Sequence, residues 1–103
     1  MKTYNKLVRD KIPEIINKQG EIAKIEILSD EQYLAELYKK LQEEITEFKG
    51  DPCEEELADI FEVLDALKAY YRFSGGSIEK IKSQKRKERG GFDDRIFLKT
   101  VEK

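Results

Sequence analysis

Two pairs of carboxylates in the middle of the chain are the residues best suited to chemistry. Glu44 and Glu47 form one pair, and Glu56 and Asp59 form the other, each with three-residue spacing. Residues three apart in a helix lie on the same face. The sequence therefore predicts two helical faces that each carry two carboxylates.

The two faces are predicted to meet on one side of a pair of antiparallel helices. A short connection through Gly50 and Asp51 makes the two helices neighbours. At about 100° per residue, both carboxylate pairs are rotated from the apolar stripe of their own helix by similar angles and in the same sense. Because the pairs are also equally far from the connection, Glu44 is predicted to lie level with Asp59 and Glu47 level with Glu56.

Four converging carboxylates predict a cation site. Like charges repel at close range, and their burial is costly unless a cation neutralises them. Mg²⁺ prefers oxygen ligands and shares its coordination shell with substrate phosphates. We therefore expect Mg²⁺ here, with Mn²⁺ as the alternative ion. A plainer interpretation stays open, because acidic pairs at this spacing are common on solvated helix faces.

Basic side chains around the acidic block suit phosphate oxygens. Residues 30–66 carry a net charge of −10, whereas residues 1–29 carry +2 and residues 67–103 carry +6. Basic flanks attract phosphate. The candidate phosphate-binding residues are Lys6, Arg9, Lys11, Lys40, Lys85, Lys87 and Arg89, and the aromatic candidates for stacking on a base are Tyr70, Tyr71 and Phe92.

The composition excludes several other kinds of chemistry. The 103 residues contain no His, which removes His-based general base catalysis, the serine triad and most catalytic zinc sites. The single cysteine, Cys53, excludes an internal disulfide and fits a reducing compartment. No apolar run approaches the roughly 18 residues of a membrane span, and the N-terminus has no apolar signal region. We therefore expect a cytoplasmic protein without membrane partners.

Helices are predicted to position the candidate residues. A short helix is expected over residues 12–19, with Pro13 in its first turn and Gly20 after its end. Ser29 and Gln32 form a capping box. This box opens a long amphipathic helix that is predicted to end at Gly50.

Two further helices follow. The next long helix is expected to begin with Asp51 as its N-cap and Pro52 at its first position. A strongly basic helix is expected after it, with Ser77 as its N-cap and the Gly90-Gly91 pair at its end.

The fold predicted from these elements is all-α, an antiparallel helical bundle that dimerisation completes. The length predicts a single domain over residues 1–103. A chain this short buries a limited fraction of its surface, so a second subunit would add apolar burial. Residues 21–28 and 95–101 are rich in β-branched and apolar residues, and they are predicted to pair as a short two-stranded hairpin.

The ordered carboxylate motif resembles that of a known enzyme family. Lys40-Leu41 is followed by Glu43-Glu44 and Glu47, and then by Glu56-Leu57-Ala58-Asp59. This order is similar to the paired ExxE and ExxD motif of MazG-like nucleotide pyrophosphohydrolases, whose all-α relatives include phosphoribosyl-ATP pyrophosphatase. The resemblance is strongest over residues 30–72. Residues 4–13 and 87–93 look like the flanking signatures of a subgroup.

The resemblance implies a homodimer or a dimer of dimers, with Mg²⁺ held by Glu44, Glu47, Glu56 and Asp59. It also implies hydrolysis of a nucleoside triphosphate, or a related nucleotide, between the α and β phosphates, which releases a monophosphate and pyrophosphate. Without His, the nucleophile must be a metal-bound water or a water that a carboxylate orients. Glu47 is a candidate for orienting this water instead of binding metal.

Two other functions stay open at this stage. The first is a non-catalytic dimeric interaction module, in which the apolar stripes form only a helical interface. The second is a nucleic-acid-binding module, since six basic residues lie between Lys80 and Arg89. The acidic block and the pI near 5.4 argue against a nucleic-acid partner, because the negative charge repels a phosphate backbone.

Overall fold

The computed structural model describes residues 1–103 and contains helices and no strands, which confirms the predicted all-α class. The four helices are α1 (Ile12–Lys18), α2 (Asp30–Gly50), α3 (Glu54–Tyr70) and α4 (Gly75–Arg89). The chain forms two compact units, Met1–Tyr71 with α1 to α3 and Arg72–Lys103 with α4. None of the helices has the length and apolar character needed to cross a membrane. The single domain and the completing dimer stay predictions.

The predicted signals at the ends of α1 and at the start of α2 are confirmed. Pro13 lies in the first turn of α1, where its missing N–H costs no helical hydrogen bond. Gly20 follows the helix with a φ of +87°, a left-handed conformation that favours glycine. The Ser29 side chain accepts a hydrogen bond from the Gln32 N–H at 3.3 Å, and the Gln32 side chain accepts one from the Ser29 N–H at 3.1 Å.

Loss of the Ser29 cap is expected to lower stability. Ser29→Ala removes the acceptor for the Gln32 N–H, which should reduce the free energy of unfolding by about 1 kcal/mol. Urea unfolding followed by circular dichroism measures this change. Ser83→Ala is the control, because Ser83 is an exposed residue inside α4 and alanine favours a helix interior. An equal loss in both variants would contradict the capping role.

The predicted N-cap of α3 is wrong. Cys53, and not Asp51, precedes the first helical residue. The physical reason is that α2 continues through Gly50, so Asp51 becomes its C-cap and donates its N–H to the Glu47 carbonyl at 3.1 Å. The first turn of α3 carries three glutamates, and negative charge there is favourable beside the positive end of the helix dipole where no other carboxylate lies close by.

The predicted N-cap of α4 is also wrong. Ser74 caps this helix, and its side chain accepts a hydrogen bond from the Ser77 N–H at 3.2 Å. Ser77 therefore lies inside the first turn, because the preceding serine already supplies the oxygen that this N–H needs. The predicted end is confirmed, since Gly90 follows the helix with a φ of +82°.

The predicted hairpin is wrong, because residues 21–28 and 95–101 contain no strand. The three isoleucines of the first segment, Ile22, Ile25 and Ile27, are 65–86% exposed. The Asn17 side chain accepts the Ala23 N–H at 3.1 Å, so this backbone group is satisfied without a partner strand. An isolated pair of strands is marginal in water unless a third element covers one face. A β-branched composition was therefore insufficient to produce a strand here.

The α2–α3 pair holds the core of the first unit. Leu37 is 2% exposed and Val63 is 8% exposed, and they are the two buried apolar residues of the chain. These residues mark the line along which the two helices pack. A core of this size leaves much of the apolar surface of α2 and α3 uncovered.

The α2–α3 pair has two chemically different sides. At about 100° per residue, Tyr38 and Ile45 lie roughly 80–100° around α2 from Leu37, whereas Lys40 lies roughly 60° in the opposite sense. The apolar residues Leu57, Phe61 and Leu64 lie on the same side of α3 as the first group, and the hydroxyls of Tyr38 and Tyr71 are 2.7 Å apart there. We call Tyr38, Ile45, Leu57, Phe61 and Leu64, which are 37–57% exposed, the apolar face.

Candidate functional site

Three of the four predicted carboxylates converge where α2 and α3 pack together. Glu44 belongs to α2, Glu56 and Asp59 belong to α3, and one oxygen of each lies within 4.8 Å of the others. Glu44 is buried at 9% exposure, and the other two are half-buried. The structure thus brings together three of the four residues that the helical spacing places on one side of the pair. We call these three residues the acidic trio.

Glu47 lies outside the acidic trio. Its side chain is exposed, but its charge acts on the trio. The pKa of Glu56 is raised above its ordinary value of 4.5, first by desolvation and then by repulsion from Glu47, Asp59 and Glu44. These carboxylates therefore repel one another. The predicted role of Glu47 as a metal ligand stays a prediction.

The acidic trio fits a hard divalent cation. Mg²⁺ binds oxygen ligands at about 2.0–2.1 Å, so ligands on opposite sides of the ion lie about 4.2 Å apart. Carboxylate oxygens within 4.8 Å of one another reach that separation through small side-chain rotations. Three ligands also leave coordination positions for water and phosphate. The donor set contains only oxygen, which suits Mg²⁺ or Mn²⁺ and disfavours soft metals.

Lys40 neutralises part of the acidic trio from within α2. Its ammonium nitrogen lies 3.3 Å from Glu44 Oε1 and 3.4 Å from Glu43 Oε1. Although desolvation acts to raise the pKa of Glu43, the positive charges of Lys40 and Lys6 lower it overall. The Lys6 ammonium lies 3.4 Å from Glu43 Oε1. Two of the predicted phosphate-binding residues therefore lie beside the carboxylates.

Arg9 approaches the acidic trio from the segment that precedes α1. Its Nη2 donates to Asp59 Oδ1 at 2.6 Å, and its Nη1 lies 3.6 Å from Glu62 Oε1. These acceptors are one turn apart on α3, so the guanidinium spans two carboxylates. Arg9 and Asp59 lie fifty positions apart in the sequence, so helical spacing alone could not have predicted their ion pair.

A groove of about 580 Å³ lies beside Arg9, Lys40 and two members of the acidic trio, Glu44 and Asp59. Its basic lining residues are Arg9, Lys11 and Lys40, and its acidic lining residues are Asp10, Glu44, Asp59, Glu62 and Asp65. Its apolar wall consists of Leu7, Val8, Tyr33, Leu37, Val63 and Ala66. Eight of its fourteen lining residues are charged, so it is more polar than a typical small-molecule site, in which an apolar wall surrounds a few polar groups. Its size lies within the range of such sites, roughly 300–1,000 Å³.

Tyr33 is the groove residue that the sequence analysis missed. It is half-buried, and its ring centroid lies 6.1 Å from that of Tyr70. The sequence contained a signal for this residue. A single face of α2 carries, at helical spacing, Tyr33, Leu37, Lys40 and Glu44. The predicted stacking residues Tyr70, Tyr71 and Phe92 do not line this groove.

The remaining phosphate-binding candidates lie in the second unit. Lys85, Lys87 and Arg89 are exposed on α4, and two of them, Lys85 and Arg89, line a shallow depression of about 360 Å³ on that helix. Their part in phosphate binding stays a prediction.

Comparison with known proteins identifies a relative without a known activity. A stretch of 44 residues is 48% identical to part of an uncharacterized protein of Mycolicibacterium smegmatis (strain ATCC 700084 / mc(2)155), and it covers 43% of this chain. The match spans 45% of the length of that protein. No protein-family model matches the chain, and no solved structure is significantly similar to it.

Proposed function

We propose that this chain is a metal-dependent pyrophosphohydrolase that cleaves a nucleoside triphosphate, or a related nucleotide, between its α and β phosphates. The observation that carries the proposal is the acidic trio itself, two of whose members, Glu44 and Asp59, line one groove together with Arg9 and Lys40. Phosphate transfer to water needs negative ligands for a metal and positive groups for phosphate oxygens, both within a few ångströms. The resemblance of the carboxylate motif to that of MazG-like enzymes supports the same reaction.

The acidic trio would hold Mg²⁺, or Mn²⁺ in its place. When bound, such an ion neutralises phosphate charge and lowers the pKa of a coordinated water. Arg9, Lys40 and Lys11 are the groove residues that can contact phosphate oxygens, with Arg9 suited to bidentate binding. Tyr33 offers an aromatic surface at the groove wall for the base.

The chain contains no His, and we assign the role of proton acceptor to a carboxylate. Glu47 is our candidate, since it is exposed, lies outside the acidic trio and affects Glu56 through its charge. In this role it accepts a proton from the water while the water oxygen bonds to one phosphorus of the α–β anhydride. The bond between that phosphorus and the bridging oxygen breaks, and monophosphate and pyrophosphate leave. A carboxylate in this position orients the water by hydrogen bonding.

The direct test is product formation from a panel of ribo- and deoxyribonucleoside triphosphates and phosphoribosyl-ATP, with Mg²⁺ and with EDTA. Chromatography separates pyrophosphate from orthophosphate. Pyrophosphate release that requires the metal supports the proposal and names the substrate class. No release from any substrate would contradict it and favour the non-catalytic interaction module. Nucleic-acid binding that survives EDTA and weakens steeply with salt would instead favour the nucleic-acid-binding alternative.

Neutralisation of Glu56 gives a test of the metal site without turnover. Glu56→Gln removes one charge from a mutually repelling set, so the metal-free variant is expected to melt at a higher temperature than wild type. A Mg²⁺ concentration well above its Kd should raise the wild-type Tm by about 4 °C or more. The variant should lose most of this metal-induced shift. Differential scanning fluorimetry measures both effects.

The pH dependence of Glu56→Gln follows from the sign of the pKa shift. A carboxyl group whose pKa is raised in the folded state destabilises the fold when it is ionised. This destabilisation is present at neutral pH and is lost as the pH falls toward 4.5. The Tm advantage of the metal-free variant should therefore shrink on acidification. Glu14→Gln, in a helix that lacks the acidic trio, is the control and should respond to Mg²⁺ as wild type does. A full Mg²⁺ shift in Glu56→Gln would contradict the assigned site.

We also propose that a second copy of the chain covers the apolar face. The five residues of this face are 37–57% exposed, while the buried core contains only Leu37 and Val63. A core of two side chains provides little hydrophobic stabilisation for a domain. A symmetric dimer buries the same patch on both subunits and so completes the core. The groove lies on the other side of the helix pair and stays open in such a dimer.

A further inference from the structure

We infer that Arg9 is a cation that alternates between two partners: it holds Asp59 in the metal-free chain and holds substrate phosphate when metal and nucleotide are bound. This inference rests on the proposed function and adds a second role for Arg9 to it. The starting observation is the 2.6 Å ion pair between Arg9 Nη2 and Asp59 Oδ1. Asp59 is at the same time a member of the acidic trio.

The backbone around Arg9 is anchored while its side chain is accessible. The Arg9 carbonyl accepts a hydrogen bond from the Ile12 N–H at 3.0 Å, which ties the segment to the start of α1. The preceding Leu7 is half-buried and lines the groove. The Arg9 side chain is 55% exposed. It can therefore change partners by rotation without displacement of the segment.

Arg9 and a metal ion compete for the charge of Asp59. A guanidinium at 2.6 Å already neutralises this carboxylate, and a divalent cation at the acidic trio would lie within a few ångströms of the same positive group. Like charges at that distance repel. Arg9 therefore weakens metal binding in the absence of substrate, to the extent expected for a half-exposed ion pair.

A phosphate ligand removes this conflict. Guanidinium groups bind phosphate oxygens through paired, charge-assisted hydrogen bonds. Phosphate that enters the groove offers Arg9 a new negative partner, and Asp59 is then released to the metal. Glu62, 3.6 Å from Nη1, lies outside the acidic trio and keeps the side chain close during the exchange. Substrate and metal binding are thereby coupled through one side chain.

The inference predicts effects of opposite sign in Arg9→Gln. Without nucleotide, the variant should bind Mn²⁺ about two- to fivefold more tightly than wild type. Its affinity for the magnesium complex of tripolyphosphate should fall about tenfold or more. In turnover assays the KM for nucleotide should rise more than kcat falls. A residue with only a structural role would weaken both ligands or neither.

Isothermal titration calorimetry with Mn²⁺ and with magnesium tripolyphosphate measures both affinities without turnover. Arg9→Lys should recover part of the tripolyphosphate affinity, because it restores the charge but not the bidentate geometry. Lys18→Gln is the matched control, since Lys18 pairs with Glu14 at 3.3 Å on α1 and does not line the groove. It should leave both affinities unchanged.

The outcomes separate this inference from the proposed function. Unchanged or weaker Mn²⁺ binding by Arg9→Gln overturns the inference, even if the wild-type protein hydrolyses nucleotides. Tighter Mn²⁺ binding together with weaker tripolyphosphate binding supports it. If the wild type hydrolyses no nucleotide but both titrations behave as predicted, the proposed hydrolysis fails and the exchange of partners at Arg9 stands.

Discussion

Replacement of Glu44 by glutamine is expected to reduce metal-dependent pyrophosphate release by roughly 100-fold or more. Glu44 is the most buried member of the acidic trio, at 9% exposure, so water can least substitute for its charge. Glutamine keeps the size of the side chain and one carbonyl oxygen, and it removes the negative charge that a divalent ion requires. The fold should tolerate the change, because Lys40 keeps Glu43 as a partner at 3.4 Å.

Pyrophosphate formation by wild type and Glu44→Gln, measured as kcat/KM at several Mg²⁺ concentrations, checks this expectation. The activity of Glu44→Gln should stay low at high Mg²⁺, because the two remaining carboxylates of the trio would hold the metal in the wrong position. Glu14→Gln removes a carboxylate that is exposed on α1 and paired with Lys18, and it should stay within about twofold of wild type. Circular dichroism establishes that both variants keep their helices. Glu44→Gln with near-normal activity would eliminate the acidic trio as the metal site.

The helices and the acidic trio were predictable because their determinants are local. The capping box at Ser29 uses residues three positions apart, and each carboxylate pair uses the helical repeat. A short connection between α2 and α3 then fixes which sides of the two helices meet. The spatial arrangement of Glu44, Glu56 and Asp59 therefore follows from helical periodicity and one loop length.

The contributions of the N-terminal segment were not predictable in the same way. Lys6 and Arg9 precede α1 in irregular backbone, and they reach Glu43 and Asp59 across thirty-seven and fifty positions of sequence. No repeat relates such residues, so their charge indicated a phosphate role but not a location. The failed strand prediction has a related cause, because a strand depends on a distant partner whereas a helix satisfies its own backbone.

A charge placed on the apolar face is expected to dissociate the proposed dimer. Phe61 is 57% exposed, the largest exposure on that face, and it lies on the side of α3 that faces away from the groove. In a dimer, Phe61→Asp would bury an unpaired carboxylate, which costs several kcal/mol. We therefore expect wild type to sediment as a dimer and Phe61→Asp as a monomer with a lower Tm.

Sedimentation velocity at several protein concentrations, with thermal melts at the same concentrations, tests this prediction. The wild-type Tm should rise with concentration, because association stabilises the folded state by mass action. Phe92→Asp makes the same chemical change at a residue of the second unit that is 97% exposed, and it should not alter the assembly. If Phe61 were in contact only with water, its replacement by aspartate would leave both the mass and the Tm unchanged. That result would exclude the apolar face as the interface, and it would leave the metal-site predictions intact because Phe61 does not line the groove.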